Sequence, residues 1–179
     1  GFFRPMDSLL IGLRELNQSE RTGNSYGLYT GYLAPVWAAG SVGAFRISGY
    51  YARKAVSRAE GSQNAEELHR AYLVMAFHEM LKGASLRNSL DYAQRSIEAC
   101  GKGGYWNLSF SRGLPYLAGH DAYSLGEFSR ALDCAHESIR FGEESKDPQA
   151  LCRGLQIAGF ALTCLGKHEQ AIASFQKSL

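Results

Sequence analysis

Residues 148–179 read PQALCRGLQIAGFALTCLGKHEQAIASFQKSL, and Gly166 divides them. Small and apolar residues follow that glycine at fixed offsets: Ala171 five residues on, Phe175 nine on and Leu179 thirteen on. The same template fits LGEFSRALDCAHESI from Gly126, ASLRNSLDYAQRSI from Ala84 and GAFRISGYYARKAV from Gly43, and loosely from Phe3. The anchors lie 40, 41, 42 and 40 residues apart. Five residues past them stand Ser8, Ser48, Ser89, Ala131 and Ala171, all small. A fixed period in this range marks a solenoid, in which each unit buries its apolar face only against its neighbours. Such a chain is a surface for holding something.

Each stretch after an anchor is apolar at helical spacing, as in Leu132, Ala135 and Ile139. A second helix precedes each anchor, over 25–42, 64–83, 105–125 and 148–165. Turn residues separate the pairs at Asn24-Ser25, Gly61-Ser62-Gln63-Asn64, Gly101-Lys102-Gly103-Gly104 and Asp147-Pro148. Asn64 and Asp147 suit helix caps, and Pro148 suits a first helical position. Pro35 and Pro115 should kink their helices or move their starts. No segment alternates as a strand does. The reading is therefore all-α, about nine helices in one array over 1–179. Its units are 1–20 (partial), 24–60, 64–101, 105–143 and 147–179.

The 179 residues carry a formal net charge of +2, and Lys and Arg are scattered. A nucleic-acid partner is not expected, because the concentrated basic footprint is missing. No stretch reaches the roughly 18 apolar residues of a membrane helix, and FFRPMDSLLIGLREL places charges inside its apolar segment, unlike a signal peptide. The four cysteines show no CxxC spacing. Cys134 and Cys164 fall in helical patterns as small buried thiols, and reduced cysteines point to the cytoplasm. Gly1 is no initiator methionine and Leu179 stops inside a template, so the expectation is a piece of a longer polypeptide.

Ala158-Gly159, Gly166, Ala171 and Phe175 together resemble a tetratricopeptide repeat, and Ala118-Gly119, Gly126 and Ala131 fit again one unit earlier. The first two units depart from the pattern, with Pro35-Val36 and Ala76-Phe77 in place of the small-glycine pair. The spacing is similar to the long repeat of bacterial maltose-regulon-type activators and of the helical tails of ATPase–adenylate cyclase proteins. The resemblance implies a right-handed superhelix of antiparallel hairpins. It also implies a bacterial signalling role, sensing ligands or partner proteins for an attached output domain.

Catalytic signatures are missing. Gly40-Ser41-Val42-Gly43 and Gly101–Gly104 lack the glycine-lysine-hydroxyl order of a phosphate loop. There is no HExxH and no GxSxG elbow. His69 and His136 sit among charged residues and read as solvated, while His168 reads as a packed or half-exposed stand-in for an aromatic. The expectation is no enzyme in this chain, no cofactor and no metal.

The leading reading is a scaffold or sensor gripping a protein, a peptide or a small effector. A second is the regulatory helical domain of an ATPase/adenylate cyclase-type enzyme, and a third is self-association as a homodimer through the last helix. In the tetratricopeptide pattern the first helix of each pair lines the concave groove. The resemblance puts one lining position six residues before each anchor: Trp37, His78, His120 and Phe160. Four residues earlier come Leu33, Val74, Tyr116 and Gln156; three after come Gly40, Leu81, Tyr123 and Thr163. Arg153 and Lys82 would flank this wall. The alternative is that Trp37, His78 and Phe160 are core residues of a tightly wound array.

Overall fold

The computed structural model describes residues 5–83, 85–103 and 114–178. Among them are nine helices and no strand: α1 (Pro5–Thr22), α2 (Ser25–Ser41), α3 (Phe45–Ser62), α4 (Ala65–Lys82), α5 (Leu86–Gly103), α6 (Leu114–Ser124), α7 (Phe128–Ser145), α8 (Pro148–Cys164) and α9 (His168–Lys177). The chain is all-α. Phe3, Ala84, residues 105–113 of the third repeat and Leu179 lie outside the described residues.

The backbone divides into two compact units, Gly1–Gly103 and Gly104–Leu179. In the first, α1 to α5 pack consecutively and α2 also packs against α4; in the second, α6 to α9 pack consecutively and α6 also packs against α8. The helix before one turn glycine thus stacks on its counterpart one repeat later.

Local chemistry sets the boundaries. The Asn64 carboxamide oxygen accepts from the Glu66 and Glu67 amides at 2.9 and 3.3 Å. Asp147 caps α8 in the same way, accepting from Gln149 and Ala150 at 3.0 and 3.3 Å, ahead of Pro148 in the first turn. Three hairpins end their first helix identically. Gly43, Gly126 and Gly166 adopt φ of 77°, 78° and 74°. Their amides bond the carbonyls three residues back, and the next amide bonds the one five back (Ala44 to Ala39, Glu127 to Ala122, Lys167 to Leu162). This pair of bonds satisfies the last carbonyls and needs a left-handed residue that glycine supplies without strain.

The fourth hairpin differs by one residue. Its left-handed glycine is Gly83 (φ 66°), not the expected anchor Ala84. Ser48 donates to the Val36 carbonyl at 3.1 Å and Ser89 donates to the Ala76 carbonyl at 2.9 Å. Val36 and Ala76 both lie seven residues before their glycine, but Ser48 lies five residues after it and Ser89 six. The extra residue follows Gly83.

Pro35, Pro115 and several of the expected turn glycines lie within helices. Pro35 neither starts nor ends α2; it is fully buried inside it. Gly31, whose carbonyl Pro35 crowds, sits so close to α1 that an added Cβ would be 2.8 Å from the Leu16 backbone, and this packing outweighs the proline cost. Pro115 lies in the first described turn of α6. Gly61-Ser62 and Gly101-Lys102-Gly103 do not interrupt their helices but form the last turns of α3 and α5. There the propensity cost of glycine falls on exposed ends.

His69 is not solvated. It is fully buried, with Nδ1 2.9 Å from Ser96 Oγ, whose own hydroxyl donates to the His69 carbonyl at 2.6 Å. The imidazole must therefore donate through Nδ1. Its charged neighbours turn to each other instead: Arg70 reaches Glu66 at 2.8 Å. Burial pushes the His69 pKa down to about 4, with Arg70 lowering it further against a raising bond to Ser96 and the Glu66 charge. His168 is exposed, not packed, because it stands on the outer side of α9, where Ala171 is the residue turned inward; His136 is exposed as read. Cys164 is exposed on the last turn of α8, whereas Cys134 is half-buried with its thiol pushed up to about 11 by burial.

Two outcomes follow. The unfolded chain protonates His69 near its ordinary pKa of about 6.5, and the folded chain resists until about 4. Stability is complete above pH 6.5 and falls as pH drops toward 4, by roughly 3 kcal/mol at most. Denaturant titrations at several pH values should show this slope, and His69→Asn, which keeps a donor near Ser96, should remove it; equal slopes would refute the assignment. A Cβ on Gly142 would lie 2.5 Å from the Leu151 amide, whereas one on Gly61 would meet open space. Gly142→Ala should therefore destabilise by about 2 kcal/mol, and Gly61→Ala should stabilise by about 0.5 kcal/mol. Shifts of the same sign would contradict the packing account.

Candidate functional site

Most of α6 and α8 is buried in the second unit. Among the residues that stay open, three on each helix share one face. On α6 they are Tyr116, His120 and Tyr123, spaced four and three apart; on α8 they are Arg153, Gln156 and Phe160, spaced three and four. Helical periodicity aligns each set, and the packing of α6 on α8 puts the two rows side by side.

The contacts run across the rows. The Arg153 guanidinium lies 5.3 Å over the Tyr116 ring, which is itself 6.5 Å from the His120 ring. Tyr123 lies 5.8 Å from Phe160, and Phe160 packs edge-on to Phe175 of α9 at 5.3 Å. An added Cβ on Gly159 would stand 2.6 Å from the Phe175 ring, so only glycine lets that ring lie flat on α8. Phe160 remains 46% exposed despite these contacts. Cys164 stands beside the Tyr123 hydroxyl and raises its pKa.

His120 has a buried partner. Its Nδ1 lies 3.6 Å from Oδ1 of Asp121, which is fully buried while the imidazole is about half exposed. The Asp121 carboxylate raises the His120 pKa by bonding and by charge, against the lowering effect of burial. The face therefore carries Arg153 and an imidazole biased toward its cationic form.

The first unit places its expected residues differently. Trp37 is half-buried and meets Phe77 edge-on at 5.7 Å. His78 is only 4% exposed, with Nδ1 2.8 Å from Ser48 Oγ of α3, and Val74 is completely buried. Neither lines an open face. The one-residue difference after Gly83 explains His78, because counting from Ala84 rotates α4 by about 100°; it does not explain Val74, since Leu73, its equivalent counted from Gly83, is buried too. Counted from Gly83, the residue equivalent to Trp37, His120 and Phe160 is Phe77. The positive-φ glycine was the signal for it, and Ala84 concealed it by being small. Lys82 is exposed, 3.9 Å from Glu79, and Gly40 is buried against Leu81. Burial holds the His78 pKa below its ordinary value.

A cavity of about 390 Å³, lined by Phe128, Ser129, the Glu127–Arg130 ion pair and Leu165, opens at the turn end of the second unit. Among the described residues no three of His, Cys, Asp and Glu converge as metal ligands. No described helix is long and apolar enough to cross a membrane.

The His120–Asp121 pair yields a measurement. Protonated His120 supports the folded state below its ordinary pKa, and that support disappears as pH rises through the raised value. NMR titration of the imidazole should give a pKa above 6.5, and Asp121→Asn should lower it. An unchanged value in the variant would remove Asp121 as the cause.

No protein-family model matches the sequence, and no curated protein matches it. Among solved structures, the crystal structure of BtubC (BKLC) from P. vanneervenii is similar, with a TM-score of 0.66 and 12% sequence identity. The likeness covers 99% of this chain and 90% of that one, and at this identity it speaks for the fold alone.

Proposed function

We propose that the chain is a non-catalytic helical-repeat scaffold or sensor that holds a protein or peptide segment against the α6/α8 face. One observation carries the reading. Two stacked helices leave aromatic residues open in register on one face, Tyr116 and Tyr123 beside Phe160, with Arg153 and His120 among them. Exposed aromatic and arginine side chains in fixed orientations are what binding surfaces use as anchors, because little side-chain freedom remains to be lost. The ring contacts fix these orientations before any partner arrives. The stacked hairpins support a superhelical array of the tetratricopeptide type, and a small effector would use the same face.

Selection of peptides from a random displayed library on the immobilised protein tests this. Enriched peptides should lose at least about tenfold in affinity for the Tyr116→Ala, Arg153→Ala, Phe160→Ala triple variant, with its helical circular dichroism retained. Peptides that bind the triple variant equally well would sink the proposal. His78→Ala serves as the contrast. It should leave peptide affinity unchanged while lowering stability by about 2 kcal/mol, because a buried side chain is removed and Ser48 Oγ keeps only the Val36 carbonyl of its two buried partners.

A further inference from the structure

The helices that follow the turn glycines mix charges of both signs, with one exception. α1 carries Arg14 and Arg21 with Asp7, Glu15 and Glu20, and α7 carries Arg130 and Arg140 with four carboxylates. α3 carries Arg46, Arg53, Lys54 and Arg58 against a single carboxylate, Glu60. All four cations are exposed. Between them on the same face stand Ile47, 54% exposed, and Tyr50, 56% exposed. The spacings of three and four residues keep this stripe on one side of the helix from Arg46 to Arg58, about 18 Å.

The opposite side of α3 explains why the stripe faces out. Ser48, Gly49, Ala52, Ala55, Val56 and Ala59 are the buried residues, packed toward α2 and α4. Small residues bring α3 close to its neighbours and leave its long side chains projecting. Lys54 is partly engaged, 3.0 Å from Glu20 and 5.8 Å over the Tyr32 ring. Arg46, Arg53 and Arg58 form no ion pair among the described residues. Tyr50 stands edge-on to Tyr51 at 5.2 Å, which holds an exposed ring in place.

We propose that the exposed stripe of α3, formed by Arg46, Ile47, Tyr50, Arg53, Lys54 and Arg58, docks an acidic amphipathic helix of a partner protein. Charge complementarity fixes the sign of the partner: four cations and one carboxylate on an exposed helix attract an anionic surface. The interleaving fixes its form. Ile47 and Tyr50 sit together toward the start of the stripe, flanked by Arg46 and Arg53, with Lys54 and Arg58 beyond, so a partner matches them with apolar residues on one turn of a helix and acidic residues on the turns around it. A bilayer is a poorer occupant, since insertion needs an apolar face along the helix and here only Ile47 and Tyr50 project from it. A nucleic-acid backbone would leave both of those side chains unmatched. This surface shares no residue with the α6/α8 face.

Fluorescence anisotropy tests it with a labelled, helix-stapled peptide of about three turns bearing Glu and Leu on one face. The same composition scrambled around the helix, phosphatidylserine vesicles and a short DNA duplex serve as competing probes. The amphipathic peptide should bind best, weaken with added salt, and lose at least about tenfold in affinity to Arg46→Glu with Arg58→Glu. Ile47→Ser with Tyr50→Ser should weaken it as well. The Tyr116→Ala, Arg153→Ala, Phe160→Ala variant should bind the peptide normally, which separates failure here from failure of the α6/α8 reading. Absence of peptide binding, indifference to charge reversal, equal binding of the scrambled peptide, or tighter binding of vesicles or duplex would each overturn the proposal. Every substituted side chain on α3 is exposed, so an unchanged melting temperature accompanies a valid result.

Discussion

Close approach between helices is the constraint from which the rest of the structure follows. An added Cβ on Gly154 would lie 2.9 Å from the Ile139 amide and 3.0 Å from the Ala135 carbonyl. At such separations a large side chain cannot enter, so the slots are filled by Ala, Gly and Ser. Serine adds a hydroxyl that can reach the neighbouring backbone, as Ser48, Ser89 and Ser138 do at 3.1, 2.9 and 3.0 Å. Each such bond satisfies a buried polar group that the apolar surroundings would otherwise penalise. The helices sit near enough there for dispersion contacts to accumulate, alongside those of buried side chains such as Tyr29, Tyr32, Leu90 and Ile157.

α4 adds a second device to this. It is tied to α5 through His69 and Ser96 and to α3 through His78 and Ser48. In both pairs the serine spends its proton on a backbone carbonyl, so the histidine must supply Nδ1–H. Burial holds both of these imidazoles below their ordinary pKa, whereas His120 beside Asp121 is biased the other way. Residues of one type therefore serve two purposes in one chain, and what decides is whether burial or a neighbouring carboxylate prevails.

The helices and most of their ends were legible in the sequence because local rules govern them: 3.6-residue periodicity, side-chain caps at Asn64 and Asp147, and glycine where φ must be positive. The α6/α8 face was legible because both helices precede glycines at equal spacing. His69 was not, since Glu66 and Arg70 flank it in sequence and nothing local shows that they pair with each other while the imidazole turns inward. Cys164 failed for a related reason: periodicity gives a helix its faces but does not say whether a neighbour covers the last turn. His78 failed through the turn after Gly83, where a small alanine stood at the counted position; Val74 failed because that level of α4 is core at either count, Leu73 being buried like Val74.

That turn has a broader meaning. In a repeat array, position in the count normally stands for position in space, so that one unit can be exchanged for another. A single additional residue between two helices breaks the equivalence: α5 keeps its register toward its partners while α4 is read one step out of phase. α4 presents Phe77 whether or not the extra residue is there, because its own register runs from Gly83. Length variation in a short loop is thus absorbed after the glycine, and the helix on either side keeps the face it presents. The loop is also the part of such a fold where insertions meet least resistance.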